Sequence, residues 1–230
     1  MDAETRLRIV GALSAVGEHE MAPTLCSTCA GLVKLSGAAI AVVTEGGHRG
    51  VLCSSNPTAG ILEDLQTTLG EGPGIDAYCL GAPVADADLA RPGRAAWLAF
   101  AGPALEAGAA AVFAFPLRVG GVRLGAITFH HDRPGPLSID QHADALAIAG
   151  VVTRAVLAIQ AQAPPGMVAA ALAAVADDGA EVHQAAGMLS VRLRVSVGEA
   201  MVRLRARAYS EGRPLSDVAR AVIARRLGMR

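Results

Sequence analysis

The sequence predicts an α+β domain, in which helices flank an antiparallel sheet, followed by a long connecting helix and an all-α domain of three helices. Short apolar runs separated by glycine-containing turns alternate with helical segments up to residue 130. Beyond residue 168 only helical periodicity remains. Pro164, Pro165 and Gly166 interrupt the helical pattern between the two parts. The predicted limits are therefore residues 1–162, a hinge at 163–167, and residues 168–230.

The first part begins with helical patterns and then changes period. Residues 1–35 predict two helices, or one helix with a break at Gly17 or Pro23. Pro57 predicts a helix start, because proline at the first helical position loses no hydrogen bond. The predicted strands cover residues 38–44, 50–54, 84–87, 110–118 and 122–130, with tight turns at 46–47 and 120–121 and further helices at 57–69 and 94–106.

Two capping boxes mark later helix starts. Ser138 with Gln141 opens a helix that reaches residue 162, and Ser196 with Glu199 opens one that reaches about residue 210. A third short helix follows Pro214 and carries apolar residues at amphipathic spacing. With residues 168–193, these segments predict a small three-helix bundle.

Charge is distributed unevenly along the chain. Residues 177–230 hold ten arginines and six acidic residues, a net charge of +4, whereas residues 1–176 carry a net charge of −5. The composition, 52% hydrophobic and 3% aromatic, excludes a disordered or fibrous protein. A basic segment on an acidic body indicates either a polyanionic partner for that segment or an ordinary solvated helix surface.

No segment predicts export or a membrane span. The acidic start of the chain is unlike a signal peptide. The uncharged stretch at 155–176 is long enough to span a bilayer, but its Pro-Pro-Gly break divides it into two helices. We therefore expect a soluble cytoplasmic protein without membrane partners. In that setting reduced, structural cysteines are expected at the four positions Cys26, Cys29, Cys53 and Cys79.

No catalytic or metal-binding pattern is found. Cys26 and Cys29 lack the second ligand pair that zinc requires. His130 and His131 have no spaced partner, so an exposed strand end is preferred to a metal site. The chain has no phosphate-binding loop with Gly-Lys-Ser/Thr, because Lys34 is its only lysine. These observations favour a binding module over an enzyme.

The Gly-Glu-Gly-Pro-Gly run at 70–74 and several later segments resemble GAF domains, most closely the bacterial subset that precedes an ANTAR domain. The segment 181–190 and those after it resemble ANTAR. The matching segments are 69–77, 81–84, 86–89, 97–100 and 114–118 for GAF, and 181–190, 196–205 and 212–219 for ANTAR.

This resemblance implies a function. GAF domains bind small ligands between the sheet and the helices that cover one face. ANTAR domains bind paired RNA stem-loops and stabilise an antiterminator, commonly as dimers. The input expected here is a small ligand or a redox cue, and the sequence does not identify a cofactor. The residues on the ANTAR pattern are Ala185, Gly187, Ala200, Leu204, Arg205, Ala208, Leu215 and Ala219.

Two positions depart from the pattern. Many ANTAR domains carry lysine where this chain has Ala186, which bears on RNA affinity. Many related GAF domains carry cysteine where this chain has Gly74, which argues against a thiol switch in that loop.

Candidate binding residues follow from local chemistry. Arginine suits phosphate and can stack on unpaired bases, and Tyr209 could stack on a base or pack against the bundle. The predicted RNA-binding residues are Arg192, Arg194, Arg203, Arg205, Arg207, Tyr209, Arg213 and Arg220. A ligand pocket is predicted at Trp97, Phe113 and Phe115, or else a filled core. The helix at 138–162 is apolar on nearly every side, which predicts a homodimer.

Two alternatives to RNA-binding antitermination stay open. The helices on either side of Gly212 also suit a helix-turn-helix that binds DNA. The basic segment could instead serve only for dimerisation or for docking on another protein.

Overall fold

The computed structural model describes residues 21–43, 49–91, 97–162 and 168–224. The first part contains α1 Met21–Val33, β1 Gly37–Val43, β2 Arg49–Ser54, α2 Pro57–Leu69, α3 Pro73–Leu80, β3 Val84–Asp86, α4 Ala101–Glu106, β4 Ala111–Val119, β5 Val122–His131 and α5 Ile139–Gln162. The second part contains α6 Val168–Leu193, α7 Val197–Glu211 and α8 Leu215–Ile223. The predicted fold class is confirmed.

The five strands form one antiparallel sheet in the order β2-β1-β5-β4-β3. β4 and β5 form a hairpin through Gly120, whose φ of 56° suits glycine in a tight turn. Along β1 the side chains are buried on both faces, as the unbroken apolar run of residues 38–44 predicts. The sheet therefore separates two layers of helices.

Each face of the sheet has its own core. α1 and α5 cover one face, where the large residues include Ile40, Phe113, Phe115, Phe129 and Ile148. α2, α3 and α4 lie on the other face, where Leu62, Trp97, Phe100 and Val112 cluster. Adjacent residues of β4 enter different cores because side chains alternate across a strand.

Several helix ends agree with the sequence and others do not. The Ser138–Gln141 capping box forms in both directions, at 3.1 and 2.9 Å. α1 runs through Pro23, so the proposed break there is wrong. The Gly-rich run at 70–74 ends α2, but it also opens α3, a helix that the sequence patterns did not predict. The break at Gly17, the turn at 46–47 and the start of the helix at 94–106 lie outside the described residues.

Cys26 and Cys53 form a disulfide that links α1 to the edge strand β2. The expectation of four reduced cysteines is therefore wrong for this pair. Positions 27 residues apart in sequence lie 6.0 Å apart between their Cα atoms, because α1 packs directly against β2. Cys29 and Cys79 are free, and burial raises the pKa of the Cys29 thiol to about 12.

α5 is largely covered by its own domain. Ile148, Val151, Val152 and Val156 are buried within the chain. Between the exposed Ile139 at the start of the helix and Leu157, the only exposed large apolar side chain is Leu146. The premise that one domain cannot cover the helix is therefore wrong for most of its length, because α1 and β4 supply the cover. The side chain of residue 159 lies outside the described residues.

The second part is a three-helix bundle with a separate core. Leu189 of α6, Leu204 of α7 and Val218 of α8 are fully buried there. Ser196 caps α7 by accepting a hydrogen bond from the Glu199 N–H at 3.1 Å, and Gly212 ends α7 with a φ of 60°. The bundle touches the first part where α7 and α8 meet α2 and where α6 meets β2. None of the described helices combines the length and hydropathy needed to cross a bilayer.

Candidate functional site

Two buried polar residues of α2, Glu63 and Gln66, occupy the layer between this helix and the sheet. Both are fully buried, and they lie one helical turn apart. The Gln66 side-chain amide donates to Glu63 Oε1 at 2.8 Å, and its Oε1 accepts from the Gly74 N–H at 2.6 Å. Gln66 thereby ties α2 to the first turn of α3.

Glu71 and Asp76 extend this network to the segment at 97–100. Glu71 Oε1 accepts from the backbone N–H groups of Ala99 and Phe100 at 2.7 and 3.0 Å. The Trp97 indole N–H donates to Asp76 Oδ2 at 2.8 Å. Trp97 has a φ of 56°, a strained conformation for a bulky residue that this hydrogen bond and the surrounding core help to hold. The loop at 70–72 and the first turn of α3 therefore fix the segment at 97–100 that covers this face.

The facing side of the sheet is lined by small side chains and unpartnered polar atoms. Ala77 of α3 packs there against Ala114 of β4 and Ala126 of β5. On the same face of β5, Thr128 Oγ1 and His130 Nδ1 are buried and have no hydrogen-bond partner among the described residues. Buried polar atoms without partners are rare and often mark a ligand or water position. Together with Glu63 and Gln66, they define a polar layer on the face that α2 and α3 cover.

His130 belongs to this polar layer. It is 3% exposed, so the expected exposed strand end is wrong at this residue. Its Nε2 lies 3.3 Å from Asn56 Oδ1. Burial lowers the pKa of His130 to about 4, although the nearby charge of Asp132 opposes this shift. Because its pKa is so low, the imidazole is neutral near pH 7. No cluster of metal-ligating side chains occurs in the part of the chain that the structure describes.

The three aromatic residues of the predicted pocket do not share a face. Phe113 and Phe115 point into the core under α1 and α5, where Phe115 packs edge-on against Phe129. Trp97 packs on the opposite face, against Phe100. The pocket as predicted is therefore wrong, because Trp97 reaches the α2 side of the sheet while the odd-numbered residues of β4 point away from it.

Ser36, His131 and Asp132 form a surface cluster that resembles a catalytic triad only in composition. Ser36 Oγ and Asp132 Oδ1 both contact the same imidazole nitrogen, His131 Nδ1, at 2.9 and 2.8 Å. A triad needs one nitrogen for the nucleophile and the other for the acid. The hydrogen bond from Ser36 also lowers the pKa of Asp132. The cluster therefore closes the end of β5 without activating a nucleophile.

Two of the predicted RNA-binding arginines of α7, Arg203 and Arg207, are exposed, as expected, but they are paired. The side chains of Arg203 and Arg207 are each 44% exposed. Arg203 contacts Glu199 at 2.6 Å and Arg207 contacts Glu211 at 2.5 Å. The hydrogen bond from Arg207 lowers the pKa of Glu211. Solvent-exposed ion pairs contribute little to stability, so these arginines can exchange partners at little cost.

The other predicted RNA-binding arginines of the bundle differ in whether they form ion pairs. Arg213 contacts Glu211 at 3.0 Å, and Arg220 contacts Asp217 at 2.5 Å. Arg192 and Arg194 are exposed at the end of α6 and form no ion pair with a described residue. Arg192 borders an open groove of about 400 Å³ between α6 and α8.

Tyr209 and Arg205 have opposite exposures. Tyr209 is 57% exposed, so its ring does not pack into the bundle. Arg205 is half-buried at the junction of the two parts, and burial lowers its pKa. Ala186 is fully buried in the bundle, so a lysine at this position would have to leave the core that alanine fills.

The structure thus has two domains, with a candidate ligand layer in the first domain and an arginine-bearing surface on the second. Residues 15–160 match the family model of the GAF domain, and residues 170–223 match that of the ANTAR domain. The first match covers more than half of the chain. The chain therefore belongs to the GAF domain family and carries an ANTAR domain behind it. Both are regulatory domains rather than catalytic ones.

Solved structures agree with the fold. The GAF domain of a phosphoenolpyruvate-protein phosphotransferase from Acinetobacter is similar at 14% identity, over 69% of this chain and 94% of that chain, with a TM-score of 0.52. The corresponding domain from Coxiella burnetii is 13% identical over 69% and 94%, also with a TM-score of 0.52. At these identities the likeness extends to the fold alone. No match is found among curated protein sequences.

Proposed function

We propose that this protein is a signal-responsive transcription antiterminator, in which the GAF domain senses a cue and the ANTAR domain binds RNA stem-loops. The observation that carries the proposal is the arginine-bearing surface of α6 and α7 on an ANTAR domain. The proposed limits are residues 1–162 for the sensor, 163–167 for the hinge and 168–230 for the RNA-binding domain. Nascent transcripts as targets imply a cytoplasmic location.

The RNA surface has two kinds of contact. Arg192 and Arg194 are exposed and have no described acidic partner, so phosphates can bind them directly. Tyr209 lies on α7 between Arg207 and Arg213 and can stack on an unpaired loop base. Arg203, Arg207, Arg213 and Arg220 add phosphate contacts by exchanging carboxylate partners for phosphate.

The input is a small ligand bound in the polar layer of the GAF domain. The unpartnered Thr128 Oγ1 and His130 Nδ1 support a polar or hydrogen-bonding ligand rather than a hydrocarbon. A redox cue is a second candidate, and the Cys26–Cys53 disulfide favours it, because disulfides in cytosolic proteins are usually transient and redox-sensing.

We also propose a homodimer. Leu146, 45% exposed on α5, supports a limited apolar contact between copies. Light scattering that gives the mass of one chain at micromolar concentration would rule it out.

The RNA proposal makes a quantitative prediction for the double variant Arg203→Ala/Arg207→Ala. Both side chains are exposed, so the fold should be unaffected. Binding to a pool of hairpin RNAs with randomised loops should weaken. The slope of log affinity against log salt should flatten by about 0.7–0.9 for each phosphate that the variant no longer neutralises. Fluorescence anisotropy at several salt concentrations measures both effects.

Two controls separate the alternatives. Glu106→Gln, on α4 of the GAF domain, tests for effects of a charge change outside the proposed interface. Duplex DNA of equal length competes with the RNA pool. Preference for duplex DNA would favour the helix-turn-helix alternative. An unchanged salt slope in the double variant would mean that these arginines only solvate the surface.

A further inference from the structure

The ANTAR domain packs against α2, the same helix whose buried face carries Glu63 and Gln66. α7 and α8 both contact α2, while α2 also contacts β1 and β2 of the sheet. α2 therefore lies between the candidate ligand layer and the proposed RNA-binding helix. A change in the position of α2 would therefore affect both the candidate ligand layer and the contact with α7.

One contact at this junction involves an arginine of the ANTAR pattern. Arg205 lies against Gly70, the residue that ends α2. A Cβ atom on Gly70 would fall 2.7 Å from Arg205 Nη1 and 3.2 Å from its Cζ, so the guanidinium occupies the space beside the glycine backbone. The C-terminal end of a helix carries partial negative charge, which favours a cation at this position.

The environment of Arg205 differs from that of its neighbours on α7. Arg203 and Arg207 are exposed and form ion pairs with glutamates, whereas Arg205 is half-buried. Its Nε is buried and has no hydrogen-bond partner among the described residues. Burying a guanidinium donor without a partner is unfavourable, and an RNA phosphate would satisfy it. RNA binding and the junction contact therefore compete for the same group.

Gly70 is also the first residue of the loop that organises the ligand side. Glu71 in this loop accepts hydrogen bonds from the backbone at 99–100, and Gly74 in the first turn of α3, which follows the loop, donates to Gln66. A ligand that rearranges this loop would shift Gly70 and with it the surface that Arg205 contacts.

We propose that the Arg205–Gly70 contact is an autoinhibitory latch, which holds the ANTAR domain against the GAF domain and withholds Arg205 from RNA. The inference rests on the proposed RNA-binding function. Opening the latch frees α7 and raises RNA affinity, by about fivefold or more if the coupling has the size typical of regulated proteins.

The variant Gly70→Ala tests the latch, because the new methyl group displaces the guanidinium. Its matched control is Gly81→Ala. Gly81 also ends a helix of the GAF domain in the left-handed conformation, with a φ of 66° against 71° at Gly70. It too has an arginine beside it, since a Cβ there would lie 3.3 Å from Arg123 Nε. Arg123 bonds to Tyr78 and Cys79 within the same domain. Both variants thus carry the same backbone strain, but only Gly70→Ala disturbs the junction.

Two measurements on the full chain decide the outcome. Hydrogen exchange across residues 197–211 should be faster in Gly70→Ala than in Gly81→Ala, and hairpin RNA should bind Gly70→Ala more tightly. Equal exchange in the two variants would overturn the latch. Faster exchange with unchanged or weaker RNA binding would overturn its inhibitory role. If none of the proteins binds RNA, both the proposed function and the inhibitory role of the latch fail. Hydrogen exchange still shows in that case whether the contact between Arg205 and Gly70 exists.

Discussion

Reduction of the Cys26–Cys53 disulfide is expected to lower the free energy of unfolding by about 3–4 kcal/mol, the entropic contribution of closing a loop of this length. The cross-link joins α1 to β2, the edge strand that α6 of the ANTAR domain also contacts. Denaturant unfolding of the wild-type chain with and without a dithiol reductant measures the difference. Comparison of one protein in two redox states avoids the cavity that a substitution in the core would add.

The double variant Cys26→Ala/Cys53→Ala is the control for this experiment. Its stability should not respond to the reductant, because the two cysteines that remain, Cys29 and Cys79, are free thiols and leave no disulfide to reduce. Equal stability of oxidised and reduced wild type would contradict a stabilising cross-link. Four titratable thiols in the denatured, unreduced protein would contradict its existence.

Gln66→Leu is expected to destabilise the GAF domain by about 2–4 kcal/mol, because leucine can form neither of the hydrogen bonds of the glutamine side chain. The variant removes the donor to the buried Glu63 carboxylate and the acceptor for the Gly74 N–H. The start of α3 should then open more readily. Thermal unfolding and hydrogen exchange at residues 70–80 measure the two effects.

The double variant Glu63→Leu/Gln66→Leu isolates the carboxylate contribution. Both variants lose the hydrogen bond between Gln66 and Glu63, so the difference in their stability measures what the Glu63 carboxylate contributes beyond that bond. Equal stability would mean that this hydrogen bond accounts for the whole contribution of Glu63, whereas a less stable double variant would mean that Glu63 also stabilises the domain through another contact.

Local patterns predicted most of the fold. Strand positions followed from apolar runs and turns. The capping box at Ser138 formed in both directions, whereas at Ser196 only the serine accepts its expected hydrogen bond and the Glu199 carboxylate pairs with Arg203. α3 was missed because a glycine-rich run such as 70–74 is typical of a turn rather than of a helix start. Pro73 at the first helical turn was the available signal, the same one that identified Pro57.

The candidate sites depended on tertiary contacts that periodicity does not encode. Trp97 does not lie on a strand, so its face of the sheet could not be derived from the alternation that orders Phe113 and Phe115. The pairing of Cys26 with Cys53 required the packing of α1 on β2. Glu63 and Gln66 lie three residues apart and so share a face of their helix, but Asp64 and Thr67 are polar too, so the sequence does not show which polar face is buried.

RNA binding by the ANTAR domain is tested most directly by mapping where RNA contacts the chain. Photocrosslinking of the full-length protein to hairpin RNA, followed by mass spectrometry of the crosslinked peptides, identifies the contact residues. We expect crosslinks in peptides covering residues 188–213, with Tyr209 among them, and their disappearance at high salt. Crosslinks confined to the GAF domain, or stronger crosslinking to duplex DNA than to RNA, would contradict an RNA-binding ANTAR domain.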